Sequence, residues 1–187
     1  PSAEGQYRCL KNTYEIAGVD PRDIGYVECH ATGTIAGDAI EIESMSKLFE
    51  HNDDLVIGSL KANLGHLITT SGAAGLIKVL GALEHQIKPQ TPNAFPLAAD
   101  VKNSRFKVLK KPEKWEPNKN GFIAGVSSFG FGGNNAHLIV EKFNKNKKIS
   151  YTKKKILNKE IAVVALGIQT DKLKNTSEFA DYVIHGK

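Results

Sequence analysis

An α/β fold with a mixed sheet follows from three features of this 187-residue sequence. Over the first half, short apolar runs alternate with segments of helical periodicity, the signature of βα units. Near residue 130, two strand-like segments flank a glycine-rich turn, which adds an antiparallel pair. Polar, glycine-containing loops follow the predicted strands, where open α/β sheets place their chemistry.

The elements follow in order. Glu4 to Ala17 puts Tyr7, Leu10, Tyr14 and Ala17 at helical spacing, with Gly18 where such a helix stops. Asp20-Pro21-Arg22-Asp23 is turn chemistry. Ile24 to Cys29 predicts a short strand running into Glu28-Cys29-His30-Ala31-Thr32-Gly33-Thr34. After Gly37 and Asp38, a helix takes Ala39, Ile40, Ile42, Met45, Leu48 and Phe49 as its apolar positions. Leu55-Val56-Ile57 predicts a buried strand that ends at Gly58, before the loop Ser59 to His66. A helix from about Ser71 carries Leu76, Ile77, Leu80 and Leu83 on one face. Pro89, Pro92, Pro96, Pro112 and Pro117 make the next segment mostly irregular, with a short strand near Arg105 to Leu109. Phe122 to Ser127 and Ala136 to Phe143 are the strands around Ser128–Asn135. Ile161 to Gly167 predicts another strand, and Ser177 to Ile184 a closing helix with Phe179, Val183 and Ile184 apolar. No internal repeat at solenoid periods is present.

With 41% hydrophobic and 24% charged residues the composition is that of a globular protein. No apolar run approaches the roughly 20 residues needed to span a bilayer. Cys9 and Cys29 are too few for a disulfide scaffold and fit a reducing compartment such as the cytoplasm. The formal charge of +5 comes from a tract between residues 144 and 160, where seven lysines face Glu160 alone. The rest of the chain is close to neutral, unlike a nucleic-acid-binding surface, so the tract reads as a lysine-rich linker.

Three loops carry candidate chemistry. His30, directly after a strand, precedes Thr32-Gly33-Thr34, whose hydroxyls suit a polar turn or equally a polar ligand arm. Lys61, Asn63, Gly65 and His66 follow the next strand; alone they fit an ordinary βα loop as well as a site. Together His30 and His66 supply two neutral imidazoles able to donate N–H groups to one oxygen, as enolate stabilisation beside a thioester demands. The third loop, Gly130-x-Gly132-Gly133, is followed by a strand rather than a helix and misses G-x-G-x-x-G, which argues against a dinucleotide site. It suits a tight loop that brings backbone N–H groups close to a ligand, or a plain hairpin turn with two exposed phenylalanines. His51, His85, His137 and His185 lack ligand-spaced neighbours, so packing or surface roles fit them and no metal is expected. Cys29 and His30 point to opposite faces of a strand, Cys29 has no base at suitable spacing, and Cys9 lies mid-helix.

The series Glu28-x-His30-x-Thr32-Gly33-Thr34 with Gly37-Asp38, then Lys61-x-Asn63-x-Gly65-His66, then Ser128-Phe129-Gly130-Phe131-Gly132-Gly133-Asn134-Asn135 resembles the C-terminal half of a β-ketoacyl synthase. Pro1-Ser2-Ala3-Glu4-Gly5-Gln6 matches the same family, and the likeness runs over about residues 1–143. Glu28-Cys29-His30-Ala31 and Gly65-His66-Leu67-Ile68-Thr69 are similar to ketosynthase domains of large iterative synthases, among them polyunsaturated-fatty-acid, enediyne and heterocyst glycolipid types, in a multidomain polyketide or polyunsaturated-fatty-acid type synthase.

The resemblance implies a thiolase-like, layered αβαβα fold, present here as its C-terminal half, in a parent that is usually a homodimer. It implies decarboxylative Claisen condensation of an acyl thioester with malonyl-acyl carrier protein, with no directly bound cofactor beyond the carrier's phosphopantetheine arm. His30 and His66 map onto the two active-site histidines, and Lys61 onto the lysine that supports the His66 site. Thr32 and Thr34 map onto pantetheine-contacting threonines. Phe131, with Gly132 beside it, maps onto the gating phenylalanine whose backbone N–H joins the oxyanion hole. The family's nucleophilic cysteine lies in a Cys-Ser motif of the N-terminal half, and these residues contain no such motif. The expectation is therefore half of an active site, inactive alone, with the N-terminal half and acyl carrier protein as partners and without nucleic acid. The expected organisation is a ketosynthase half over 1–143, a linker over 144–160, and the start of a following ketosynthase-like domain over 161–187. A non-catalytic, chain-length-factor-like scaffold is the alternative; retention of His30, His66 and Lys61 favours a chemically competent parent. A thiolase is disfavoured by the Gly-Phe-Gly-Gly-Asn loop.

Overall fold

The computed structural model describes residues 1–144 and 175–185. The chain divides into two compact units, Pro1–Ile149 and Ser150–Lys187. The expected strand over 161–167 and nearly all of the lysine tract lie outside the described residues.

In the first unit, α1 (Ala3–Ala17) begins at Ser2, whose side chain accepts the Gly5 N–H, and stops at Gly18. Gly18 takes φ 64 and donates its N–H to the Tyr14 carbonyl, a left-handed cap that glycine adopts without a Cβ penalty. A 3-10 turn over Pro21–Asp23, capped by Asp20, leads into β1 (Tyr26–Glu28), then α2 (Ile35–Leu48) and β2 (Val56–Gly58). The loop after β2 contains a one-turn helix, α3 (Lys61–Leu64), and a 3-10 turn over Ile68–Thr70 before α4 (Ser71–His85). The proline-rich segment holds only short pieces: β3 (Ile87–Lys88), α5 (Ala99–Lys102), β4 (Lys107–Val108) and β5 (Glu113–Lys114). The hairpin β6 (Ile123–Phe129) and β7 (Asn135–Glu141) closes the unit.

The main sheet has five strands in the order β4-β2-β1-β6-β7. All pairings are parallel except β6 with β7, which makes the sheet mixed. Period-two alternation sorts the strand side chains into two cores. Val27, Ile57 and Ile123 face Leu10 and Tyr14 of α1 and Ile42 and Met45 of α2. Tyr26, Val56, Ala124 and Val126 face Val79, Ala82 and Leu83 of α4. The sheet is therefore sandwiched between α1 with α2 on one face and α4 on the other.

The face of α4 differs from the periodicity reading. Gly75, Val79, Ala82 and Leu83 are buried, whereas Ile77 is 69% and Leu80 49% exposed. The sheet selects small side chains here, because a Cβ at Gly75 would lie 3.0 Å from Cγ of Glu28. The helix is apolar on two sides, a pattern typical of a helix between layers.

In the second unit, α6 (Thr176–His185) agrees with the expected closing helix. Asn175 accepts the Glu178 N–H through Oδ1 and donates through Nδ2 to the Glu178 carboxylate, a reciprocal cap. Val183 and Ile184 are exposed among the described residues. No helix among the described residues is long and apolar enough to cross a membrane.

Candidate active site

Because β2, β1 and β6 run parallel and adjacent, the loops after them emerge along one edge of the sheet. This topology brings His30, His66 and the glycine-rich turn together although they are far apart in sequence.

His30 lies two residues beyond β1, with its ring centroid 5.4 Å from that of His66 and the planes nearly perpendicular. Phe129, the last residue of β6, packs edge-on against His30 at 5.9 Å. The backbone under His30 is clamped by Glu41 of α2, which accepts the His30 N–H at 2.8 Å on Oε1 and the Ala31 N–H at 2.7 Å on Oε2. Ala31 has φ 20, a conformation L residues rarely adopt, and the clamp holds it there. Burial raises the Glu41 carboxyl to about 7, opposed by these two hydrogen bonds. Burial, then the Lys61 and His66 charges, lower His30 to about 4, so its imidazole is neutral near pH 7. His30 Nδ1 is buried with no hydrogen-bond partner among the described residues.

His66 is exposed, and its Nδ1 accepts the Ile68 N–H at 3.0 Å. That bond places the proton of the neutral ring on Nε2, leaving an N–H donor. Ile68 adopts φ 51 to make the contact, an uncommon conformation for a β-branched residue. Lys61 is half-buried on the same loop. Burial lowers its pKa, opposed by the charges of Glu28 and Glu41, and its tie to His30 is electrostatic. Ser59 joins the loops by donating from Oγ to the Ala31 carbonyl at 3.3 Å and accepting the Lys61 N–H at 3.4 Å.

Thr32 and Thr34 have their hydroxyls 3.1 Å apart at the start of α2. Gly37 leaves them room, since a Cβ there would fall 2.5 Å from Thr34 Oγ1. Phe131 sits on a 3-10 turn over Phe131–Gly133 with its side chain fully exposed, and Gly132 takes φ 72. Asn134 secures the turn by donating to the Phe131 carbonyl at 2.9 Å. Of the two phenylalanines in this loop, Phe131 is exposed and Phe129 is buried against His30.

The remaining candidates fall outside the site. Cys29 is buried, its Sγ 3.7 Å from Met45 Sδ, and burial pushes its thiol well up. Cys9 donates from Sγ to the Asn135 carbonyl at 3.3 Å. His137 is a core histidine between Tyr14 Oη at 3.2 Å and Ser127 Oγ at 3.0 Å. Sequence reasoning missed Glu41, whose only signal was an acid on the apolar side of α2, and Phe129, which strand alternation around Ser128 left ambiguous. Among the described residues, no group of three or more His, Cys, Asp and Glu side chains is arranged to hold a metal.

A parallel-sheet edge thus brings two histidines together beside a glycine-rich turn, and comparison with known proteins identifies the fold as the thiolase-like α/β fold of ketosynthases. Residues 1–95 match the β-ketoacyl synthase C-terminal domain, and residues 96–178 the ketoacyl-synthetase C-terminal extension. The chain belongs to the β-ketoacyl synthase family, as its C-terminal part. It is 42% identical over 153 residues to the hybrid PKS-NRPS synthetase pytA of Aspergillus terreus, covering 77% of this chain and 22% of that one. It is 40% identical over 154 residues to the lovastatin diketide synthase mokB of Monascus pilosus, covering 82% and 6%. Among solved structures, ketosynthase twelve of the bacillaene polyketide synthase from Bacillus amyloliquefaciens superposes with a TM-score of 0.72 at 35% identity, covering 77% of this chain and 27% of that chain. This chain thus spans about a quarter of that solved ketosynthase and less than a quarter of these curated relatives.

Proposed function

We propose that this chain forms the C-terminal part of a polyketide or fatty-acid type ketosynthase that condenses an acyl thioester with malonyl-acyl carrier protein. In that reaction the bond between the malonyl α-carbon and its carboxylate breaks, carbon dioxide leaves, and the electron pair becomes a thioester enolate. The enolate carbon attacks the acyl carbonyl, and the cysteine thiolate that carried the acyl group departs. The observation that carries this reading is the histidine pair, with rings 5.4 Å apart and His66 Nε2 carrying a proton because Nδ1 is engaged by Ile68.

His30 and His66 donate N–H groups to the enolate oxygen, each donor worth about 2.7–4 kcal/mol of barrier. Burial keeps His30 neutral and the Lys61 charge adds to that effect, in line with the lowered His30 pKa. Thr32 and Thr34 contact the phosphopantetheine arm, and the backbone at Phe131 and Gly132 supplies the oxyanion hole, with the exposed Phe131 ring as gate. The nucleophilic cysteine comes from the N-terminal half, which also covers the exposed apolar side of α4. Acyl carrier protein is the substrate-bearing partner, and the complete enzyme is a cytoplasmic homodimer.

The test is carbon dioxide release from malonyl-acyl carrier protein by the complete domain. His66→Ala abolishes it; unchanged release removes His66 from this role. The isolated chain forms no acyl adduct with acyl thioesters, and a stable adduct by intact mass refutes the division of the site.

A further inference from the structure

Glu28 is a carboxylate buried at the heart of the site's scaffold. Its side chain is 3% exposed, and its partner Lys78 of α4 is 12% exposed at 2.7 Å. Taking both charges out of water is costly, and apolar replacements of buried ion pairs are often neutral or stabilising. Stability alone is therefore a poor account of the pair. Oε2 accepts from Lys78 Nζ and from Tyr26 Oη at 2.9 Å, while Oε1 accepts the Leu60 N–H at 2.5 Å. Leu60 opens the α3 turn: its carbonyl accepts the N–H groups of Asn63 and Leu64, and His66 follows two residues after Leu64. The segment bearing Lys61 and His66 is thus tied to one carboxylate at both ends, by Leu60 before it and Lys78 in the helix after it. Gly75 allows the approach, since a Cβ there would meet Glu28 Cγ at 3.0 Å.

We propose that Glu28, held by Lys78 and Tyr26, is a positioning residue that sets the Lys61–His66 segment against His30 by accepting the Leu60 N–H. Its effect on rate rests on the ketosynthase reading above; its effect on geometry does not. The Glu28 charge also favours the protonated form of Lys61.

Two uncharged double variants separate positioning from ion-pair stability in the complete domain. Glu28→Gln with Lys78→Met keeps an acceptor for Leu60. Glu28→Leu with Lys78→Met removes it at similar volume. The first keeps the kcat for decarboxylation within about threefold, whereas the second loses about 100-fold with little change in KM, the scale of a misplaced reacting group. Equal rates in the two folded doubles overturn the proposal. Should the Glu28→Leu double fail to fold, Leu60→Pro removes the donor instead, since Leu60 already has the φ of −66 that proline requires. It lowers kcat similarly, and an unchanged rate again overturns the proposal. Should the wild-type domain release no carbon dioxide, the functional reading falls while the geometry is still decided by nitrogen-15 NMR of this chain. The His66 Nδ1 resonance then moves toward its unbonded value in the variants lacking the contact and stays in place in the Glu28→Gln double; an unmoved resonance in all of them refutes positioning.

Discussion

Glu41→Ala removes the acceptor for two partly buried backbone N–H groups, those of His30 and Ala31, and its cost depends on pH in a definite direction. An unpaired buried donor costs about 1–3 kcal/mol, so losing the acceptor of these two partly buried donors costs about 2 kcal/mol, the lower end for a pair. Against this stands the burden of burying the carboxylate. Glu41 is raised from 4.5 to about 7 in the fold, chiefly by burial. A raised carboxyl contributes stability that is fully present below pH 4.5 and is lost as pH rises through about 7. At about 1.4 kcal/mol per pH unit, the loss amounts to about 3 kcal/mol above that window. The destabilisation caused by Glu41→Ala is therefore largest below pH 4.5, and it falls by about 2–3 kcal/mol between pH 5 and pH 8.5. His30 is shifted by burial, Lys61 and His66 rather than by Glu41, so its titration is common to both proteins and drops out of the difference. Urea unfolding of the wild-type and variant chains at the two pH values reads the effect as a change in midpoint. A difference that is independent of pH, or that grows as pH rises, refutes the reasoning.

Phe131→Ala changes unfolding stability by less than about 0.5 kcal/mol, because the ring is fully exposed, while lowering the condensation rate of the complete domain. A lower melting temperature with an unchanged rate contradicts both parts. Gly125→Ala places a Cβ 2.8 Å from the buried His137 ring and costs about 1–3 kcal/mol by overpacking, read by the same urea titration.

Much of the fold is legible locally because its boundaries are set by local chemistry. Gly18 ends α1 and Gly58 closes β2, each within a residue or so of the periodicity reading. The same reading errs where packing decides. Ile77 and Leu80 satisfy a helical stripe as well as Val79 and Ala82 do, and the packing of Val79, Ala82 and Leu83 on the sheet, with Gly75 close against Glu28, sets the buried face. Between Phe129 and Phe131 the choice of buried ring depends on where β6 ends, which strand propensity leaves open by a residue or two.

The sequence by itself determined the βα order, the three strand-end loops and, through their motifs, the family. These are properties of contiguous residues, and the motif spacings survive without knowledge of the fold. The tertiary structure alone decided that His30 and His66 meet at 5.4 Å, that Glu41 holds the strained peptide beneath one of them, and that Glu28 gathers Leu60 and Lys78 around the other. Those contacts join residues from parallel strands and the helices packed on them. Their energies come from burial and hydrogen-bond geometry, which exist only once the sheet has brought distant segments to one edge.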